Sequence, residues 1–282
     1  MNILLTGSSG SIGSEMVPYL TAQGHLVTRL GSDIRDPLAL QHEVSKLVFT
    51  YDWVVHMAAI VTSVPAELAG PNTFDVNVTG TFNVASMARE LGSRFCYFST
   101  TVIYKPGESP YSEKSVPRPE TLYAHTKWLG EQTARFVYRD QLEKLLIIRP
   151  AFTYGSPNDH SLISNLIKNA AHNEYSIVRM SPGYFKTYTH TKDFCWAIER
   201  LLIGKKSGDF NVSSSMETTL TDILSEIKKL GITPRIYPRP ELDYLKDHVI
   251  DNSKLLKELP EWKPKVTLGF GISQIAHKIL CK

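Results

Sequence analysis

Residues 6–13 read TGSSGSIG, directly after the apolar run Asn2–Leu5 and directly before Ile12–Gln23, whose apolar residues recur at helical spacing. A strand, a glycine-rich turn and a helix in that order are the opening of a dinucleotide-binding βαβ unit. Gly7 permits the tight turn, Gly10 lets the main chain approach a pyrophosphate, and Gly13 lets the helix pack close to the strand. The first amides and the positive dipole end of the helix then meet the phosphates, which makes Ser9, Ser11 and Ile12 candidate contacts beside the glycines.

Working outward, the same rhythm repeats. Leu26–Leu30 reads as a strand, and Asp36-Pro37 opens a helix with Asp as N-cap and Pro at the first helical position. DWVVHM (52–57) and RFCYFS (94–99) are strands flanking the helical run Asn77–Leu91, and LLIIR (145–149) is another. Gly24 ends the first helix, and Pro18 inside it predicts a kink. Continuous apolar strands alternating with helices give an α/β fold, a Rossmann-type doubly wound parallel sheet covered on both faces. After Pro150 the segments shorten and proline and glycine become more frequent. Residues 1–150 therefore read as the dinucleotide-binding domain and 151–282 mainly as a smaller substrate lobe. Asp193–Ile203, helical behind an Asp cap, returns to the sheet, so the first domain is rejoined over about 187–206. The lobes interleave in sequence, with a ligand cleft expected between them.

Composition narrows the class. With 42% hydrophobic and 21% charged residues, 282 residues suffice for one large α/β domain or two lobes. The net charge of +3 is spread without a basic run, which argues against nucleic acid as partner. No apolar stretch is long enough to span a bilayer, and MNILLTGSSG lacks a basic leader. Cys96, Cys195 and Cys281 are scattered, which suits neither a disulfide framework nor a metal site. The expectation is a cytoplasmic protein without membrane or metal.

Eight segments, in this order, resemble the extended short-chain dehydrogenase/reductases, in particular the nucleotide-sugar epimerase/dehydratase group, over nearly the whole chain. TGSSGSIG is similar to the family's dinucleotide loop; its GxxGxxG spacing differs from the GxGxxG of medium-chain dehydrogenases. GSDIRD (31–36) resembles the adenine-contacting segment after the third strand, which implies contacts from Ser32, Asp33 and Ile34. HMAA (56–59) resembles the segment after the fourth strand, which implies that Met57, Ala58 and Ala59 line the cofactor. NVTGT (77–81) resembles the Asn-containing helix start, with Asn77 near the cofactor, and FSTTVIY (98–104) the strand end that carries a catalytic Ser or Thr. RPAFTYG (149–155) resembles the turn into the substrate lobe, with Pro150 at the cofactor. FNVSSS (210–215) and LPEWKPKVTLGFG (259–271) resemble the C-terminal signatures.

Two near-identical words, YAHTK (123–127) and YTHTK (188–192), compete for the chemistry. The first enters a helical stretch, where residues four apart lie on one face, so Lys127 can stand beside Tyr123 and lower its phenol's pKa. Around the second, Tyr and Thr alternate at strand spacing, and four residues along a strand span about 13 Å, too far to couple. Tyr123 and Lys127 are therefore the expected pair, and Tyr188 is structural. Tyr123 would take or return the alcohol proton. The resemblance implies that Lys127 also holds the nicotinamide ribose, and that Thr100, four residues before Tyr104, hydrogen-bonds the reacting oxygen.

The chain departs from the family at telling places. Thr101 and Val102 stand where dehydratases carry Asp-Glu, so elimination of water is not expected. Val102 also stands where the fucose-forming epimerase-reductases need Cys, although His160 lies near the place of their His. Phe152 replaces the diphosphate-contacting Asn, and Lys186 the phosphate-contacting Arg, keeping the charge without the bidentate fork. Phe152 reads as a substrate or nicotinamide contact, or as a lobe-core aromatic. After the second strand Arg29, Gly31 and Ser32 present no carboxylate to a 2′-phosphate, so NADP(H) is favoured over NAD(H); Asp33 is the alternative ribose ligand that would reverse this. The expected activity is hydride transfer at C4 of a nucleotide-linked sugar, first as a 4-keto sugar reductase, then as a 4-epimerase. Reduction of a small non-nucleotide carbonyl and a non-catalytic dinucleotide sensor are the competing readings. The resemblance implies a homodimer paired through the helices of Asn77–Leu91 and Tyr123–Tyr138.

Overall fold

The computed structural model describes residues 1–61, 71–156, 158, 160–243 and 245–281. Its centre is a six-stranded sheet built from β1 (Asn2–Thr6), β2 (Leu26–Arg29), β3 (Trp53–His56), β4 (Arg94–Phe98), β5 (Leu145–Pro150) and the strand Gly208–Val212, in the order β2-β1-β3-β4-β5 followed by that last strand. The pairs within β2-β1-β3-β4-β5 are all parallel. The Rossmann-type doubly wound expectation holds. After β1 the chain moves outward to β2, then crosses to β3 on the other side of β1. That reversal opens a crevice beyond the carboxyl ends of β1 and β3, where ligands bind in folds of this kind. Thr6 stands in register with His56, so Gly7 and Met57 leave the sheet side by side.

One expectation about strand order is corrected. GSDIRD does not follow a third strand; it follows β2 directly, and HMAA follows the third strand. Asp36 ends the excursion, because its carboxylate caps Leu38 and Ala39 N–H and Pro37 starts helix α2 (Pro37–Val44) at once. Helix α1 (Gly13–Ala22) contains Pro18 yet is assigned as one uninterrupted helix, and Gly24 beyond it takes φ +82°.

Helices α3 (Gly80–Glu90) and α4 (Leu122–Val137) lie on the sheet through Val84, Ala85, Ala88 and Ala134, which join Phe95, Tyr97 and Ile147 in one core. A π-helical turn, Asp75–Thr79, leads into α3. Arg149 and Glu131, buried in this layer, are paired, which offsets the cost of taking their charges out of water. Arg149 of β5 binds Glu131 of α4 through both oxygens, at 2.9 and 2.7 Å, reaches Asp209 at 2.8 Å and donates to the Tyr104 hydroxyl at 3.0 Å.

The chain divides into two compact units. One comprises Met1–Lys105, Val116–Pro150 and Ile198–Phe210; the other comprises Pro106–Ser115, Ala151–Ala197 and Asn211–Lys282. The return to the sheet unit thus runs over Ile198–Phe210 where the pattern put it at about 187–206, and Pro106–Ser115 leaves the first 150 residues for the second unit. The second unit packs Ile163, Leu166 and Ile167 of helix Leu162–Ala171 with Ile223 and Ile227 of Leu220–Lys229 and Ile272 and Ile275 of Leu268–Leu280. Asp193 is not a helix cap. The helix begins at Thr191, and the Asp193 carboxylate instead accepts from the amides of Lys265 and Val266.

Candidate active site

The turn after β1 is shaped by what it excludes. Gly7 has φ +74°, and a Cβ on it would lie 2.5 Å from the Ala58 amide nitrogen. A Cβ on Gly13 would lie 2.1 Å from the Gly7 carbonyl oxygen. Gly10 N–H closes the turn onto that carbonyl at 3.1 Å. Thr6 Oγ1 accepts from Ala58 N–H at 3.3 Å and pairs with His56 Nδ1 at 2.6 Å, which fixes the exit of β3 beside the loop. Ile12 stands at the N-cap of α1 and makes no side-chain cap; the Ser14 and Glu15 amides turn back onto the Gly10 and Ile12 carbonyls at 3.0 and 3.1 Å, and the positive dipole end of the helix adjoins the loop. A pyrophosphate fits this cradle. Gly7, Ser9, Gly10, Ser11, Ile12 and Gly13 would hold it, with half-buried Met57, Ala58 and Ala59 alongside.

At the end of β2 the structure supplies what the local sequence lacks. Glu43 of α2 folds back to accept from Gly31 N–H at 3.0 Å and from Ser32 N–H at 2.8 Å. Burial works to raise its pKa, but the Ser32 hydroxyl and these two amides prevail and hold the carboxyl below its ordinary value. A carboxylate therefore does stand at Gly31 and Ser32, and the premise of the NADP(H) preference is removed. Asp33 is gripped by the Arg35 side chain, which lowers its carboxyl to about 2. Ile34 is buried in the core rather than open to a ligand, and a Cβ on Gly80 would lie 2.6 Å from its Cδ1.

Asn77 is also reassigned. It is fully buried; its Oδ1 accepts from Ile60 N–H at 2.8 Å, and its Nδ2 donates to Ile60 O and to Thr126 Oγ1, each at 3.0 Å. Its amide group thus ties the segment after β3 to α4 instead of facing a cofactor. Thr126 Oγ1 in turn donates to the Tyr123 carbonyl at 3.0 Å.

Helix α4 starts where Thr121 accepts from Ala124 N–H at 3.2 Å, which places Tyr123 in the first turn and Lys127 one turn deeper. Tyr123 is half-buried, whereas Lys127 is 2% exposed. The Lys127 Nζ lies 4.4 Å from the centre of the Tyr97 ring on β4. Burial lowers the lysine to about 7, against the opposing charge of Glu131. Thr100, two residues beyond β4, has extended backbone, and its Oγ1 accepts from Val102 N–H at 3.3 Å, which leaves its own proton for an oxygen. Thr101 Oγ1 donates to the Pro150 carbonyl at 3.2 Å, so it is the less suited of the two threonines.

The second unit holds the remaining expected residues. Phe152 packs at 5.5 Å from the rings of Tyr188 and His248, the lobe-core reading. Lys186 is 3% exposed and donates to Asp243 Oδ1 at 2.8 Å and to the Lys246 carbonyl, so its charge is answered inside the unit and it is not an open phosphate ligand. Tyr188 is 4% exposed on the strand Lys186–His190, with its hydroxyl 3.8 Å from Met180 Sδ, and burial pushes its phenol up. His160 is exposed. Among the described residues no group of three or more His, Cys, Asp or Glu is placed to hold a metal, and no helix is long and apolar enough to cross a membrane.

A parallel sheet with this loop at its reversal point, and a tyrosine one helical turn before a buried lysine, defines the extended short-chain dehydrogenase/reductases, a class of NAD(P)-dependent enzymes. The chain belongs to the family described as the RmlD substrate binding domain, whose model matches residues 1–238. It is 24% identical over 303 residues to UDP-glucuronic acid decarboxylase 6 of Arabidopsis thaliana, covering 96% of this chain and 87% of that one. Its fold matches that of RMD from Pseudomonas aeruginosa complexed with NADPH, with a TM-score of 0.83, 21% identity and 99% of each chain covered. It also matches UDP-glucose 4-epimerase of Thermus thermophilus complexed with NAD, with a TM-score of 0.85, 23% identity and 99% of each chain covered.

Proposed function

We propose that the protein transfers a hydride at C4 of a nucleotide-linked sugar, acting as a 4-keto sugar reductase. The observation that carries this is the YAHTK segment: it is helical, it follows a capped start, and its lysine is buried over β4, while the YTHTK look-alike is split, with Tyr188 inside the strand Lys186–His190 and an exposed Lys192 in the helix that begins at Thr191. A bound nicotinamide supplies the hydride. Tyr123 gives the new alcohol its proton. Lys127, one turn below, favours in its charged form the phenolate left behind. Thr100 donates a hydrogen bond to the reacting oxygen and orients it. Thr101 and Val102 bring no acid or base that could take a carbon-bound proton, which sets dehydration aside.

The sugar-nucleotide part rests on the similarity to proteins named for UDP-sugars, the decarboxylase and the 4-epimerase above. The cofactor is a nicotinamide dinucleotide, and the choice between its two forms turns on Glu43, whose carboxylate at the amides of Gly31 and Ser32 opposes a 2′-phosphate. The protein acts as a homodimer paired through α3 and α4, whose groove exposes Phe82 and Phe136.

The test is incubation with NADPH or NADH and a dTDP- or GDP-4-keto-6-deoxyhexose, following the near-ultraviolet absorbance of the reduced nicotinamide. Stoichiometric oxidation is expected. Interconversion of C4 epimers without added cofactor would replace the reductase reading with the 4-epimerase.

A further inference from the structure

Lys127 is the most buried ammonium of the candidate site, and its nearest carboxylate is already engaged: Glu131 is bound through both oxygens by Arg149. What lies against Lys127 is Tyr97. The aromatic face sits 4.4 Å from Nζ, well within the range at which a ring quadrupole attracts a cation, and the attraction is strongest where water is excluded. The same tyrosine holds the lysine a second way, because its hydroxyl donates to the Lys127 carbonyl at 3.2 Å. Room for that hydroxyl comes from a missing side chain. Gly130 stands one turn beyond Lys127, and a Cβ there would lie 2.1 Å from the Tyr97 hydroxyl oxygen. Tyr97 is itself fixed, fully buried on β4, and burial with the charge of Glu131 pushes its phenol well up, so it stays neutral.

We propose that Tyr97 is the positioning residue for Lys127: its ring fixes the ammonium and favours the charged form, while its hydroxyl fixes the main chain of the same residue. The consequence for turnover rests on the function proposed above, since it acts through Lys127 on Tyr123. The other groups around the lysine do not duplicate this. His56 of β3 is held neutral, lowered to about 3 by burial and by Lys127 itself. Glu131 of α4 is locked to Arg149 of β5, and Tyr123 of α4 stands a turn away.

The experiment reads Lys127 directly, without cofactor or substrate. Lysine side chains in the full-length protein are isotope-labelled and titrated by NMR, with Lys127 assigned as the signal lost in Lys127→Met. Tyr97 is replaced by Phe and then by mono-, di- and trifluorinated phenylalanines, which keep the shape and progressively empty the ring face of negative charge. The lysine pKa should step downward along the series, by about one unit between Phe and the trifluoro ring, equal to about a tenfold fall in the ratio of charged to neutral form at a given pH. Tyr97→Leu should fall at least as far. An unchanged Lys127 titration across the fluorinated series overturns the proposal. Because the readout needs no turnover, a failed reductase assay leaves it decidable. Should the titration shift while turnover does not follow it, the catalytic reading of Lys127 is the part that fails.

Discussion

Replacing Tyr123 by Phe removes one oxygen from helix α4 and keeps the ring. Turnover should fall by about 10²–10⁴, the usual worth of a positioned general acid, while cofactor binding followed by fluorescence stays within a few-fold. Tyr188→Phe should leave turnover near the wild-type value, because among the described residues its hydroxyl meets the Met180 sulfur, at 3.8 Å. If Tyr188→Phe abolishes activity and Tyr123→Phe spares it, the two look-alikes have been assigned the wrong way round. Lys127 makes a separate thermodynamic prediction. Its ordinary value of 10.5 is lowered to about 7 by burial, against Glu131. Between those values the unfolded chain binds the proton that the folded chain has released, so this group adds stability as pH rises through that window and takes it away as pH falls. Lys127→Met should abolish that slope and melt no lower than wild type at pH 7 while losing turnover. A melting curve measured from pH 6 to 10 for both proteins decides it.

At the scale of elements, the contact between β4 and α4 depends on a small residue. Gly130→Ala puts a methyl group against the Tyr97 hydroxyl and ring, and overpacking of this kind destabilises by about 1–3 kcal/mol. Combining it with Tyr97→Phe should recover part of the loss, because the shortest clash is with the hydroxyl; strict additivity in denaturant melts would place the strain elsewhere. Helix α2 makes the corresponding statement about the cofactor. Glu43→Gln removes the carboxylate at Gly31 and Ser32 and should move the ratio of kcat/KM values toward NADP(H) by about tenfold, the order expected for losing one like charge near a phosphate. An unmoved ratio would take Glu43 out of cofactor choice. The Asp36-Pro37 start of α2 was legible because a cap is a local device, fixed by residues two and three apart. The return of α2's Glu43 onto the β2 loop was not, because helix pitch says nothing about which loop a side chain eleven residues away will reach.

At the scale of the whole molecule, α3 and α4 leave Phe82 45% and Phe136 62% exposed around one groove, apolar surface that a second copy would bury. Phe136→Asp should convert a dimer into a monomer by light scattering while circular dichroism is unchanged; a wild-type monomer at micromolar concentration would remove the homodimer. The sequence by itself determined the sheet-and-helix alternation, the glycine turn, and that YAHTK is helical while Tyr188 lies in a strand. Each is written in a short period or in residues a few places apart, and steric exclusion at Gly7 and Gly13 makes the turn nearly independent of context. The tertiary structure alone decided that β2 leads straight to α2, that Asn77 braces Ile60 and Thr126, that Lys186 is answered by Asp243, and that Tyr97 lies against Lys127, thirty residues away. Those outcomes depend on which faces meet when strands and helices pack. That register is set by the summed fit of many side chains and by the need to offset the cost of each buried charge, which no local pattern in the chain records.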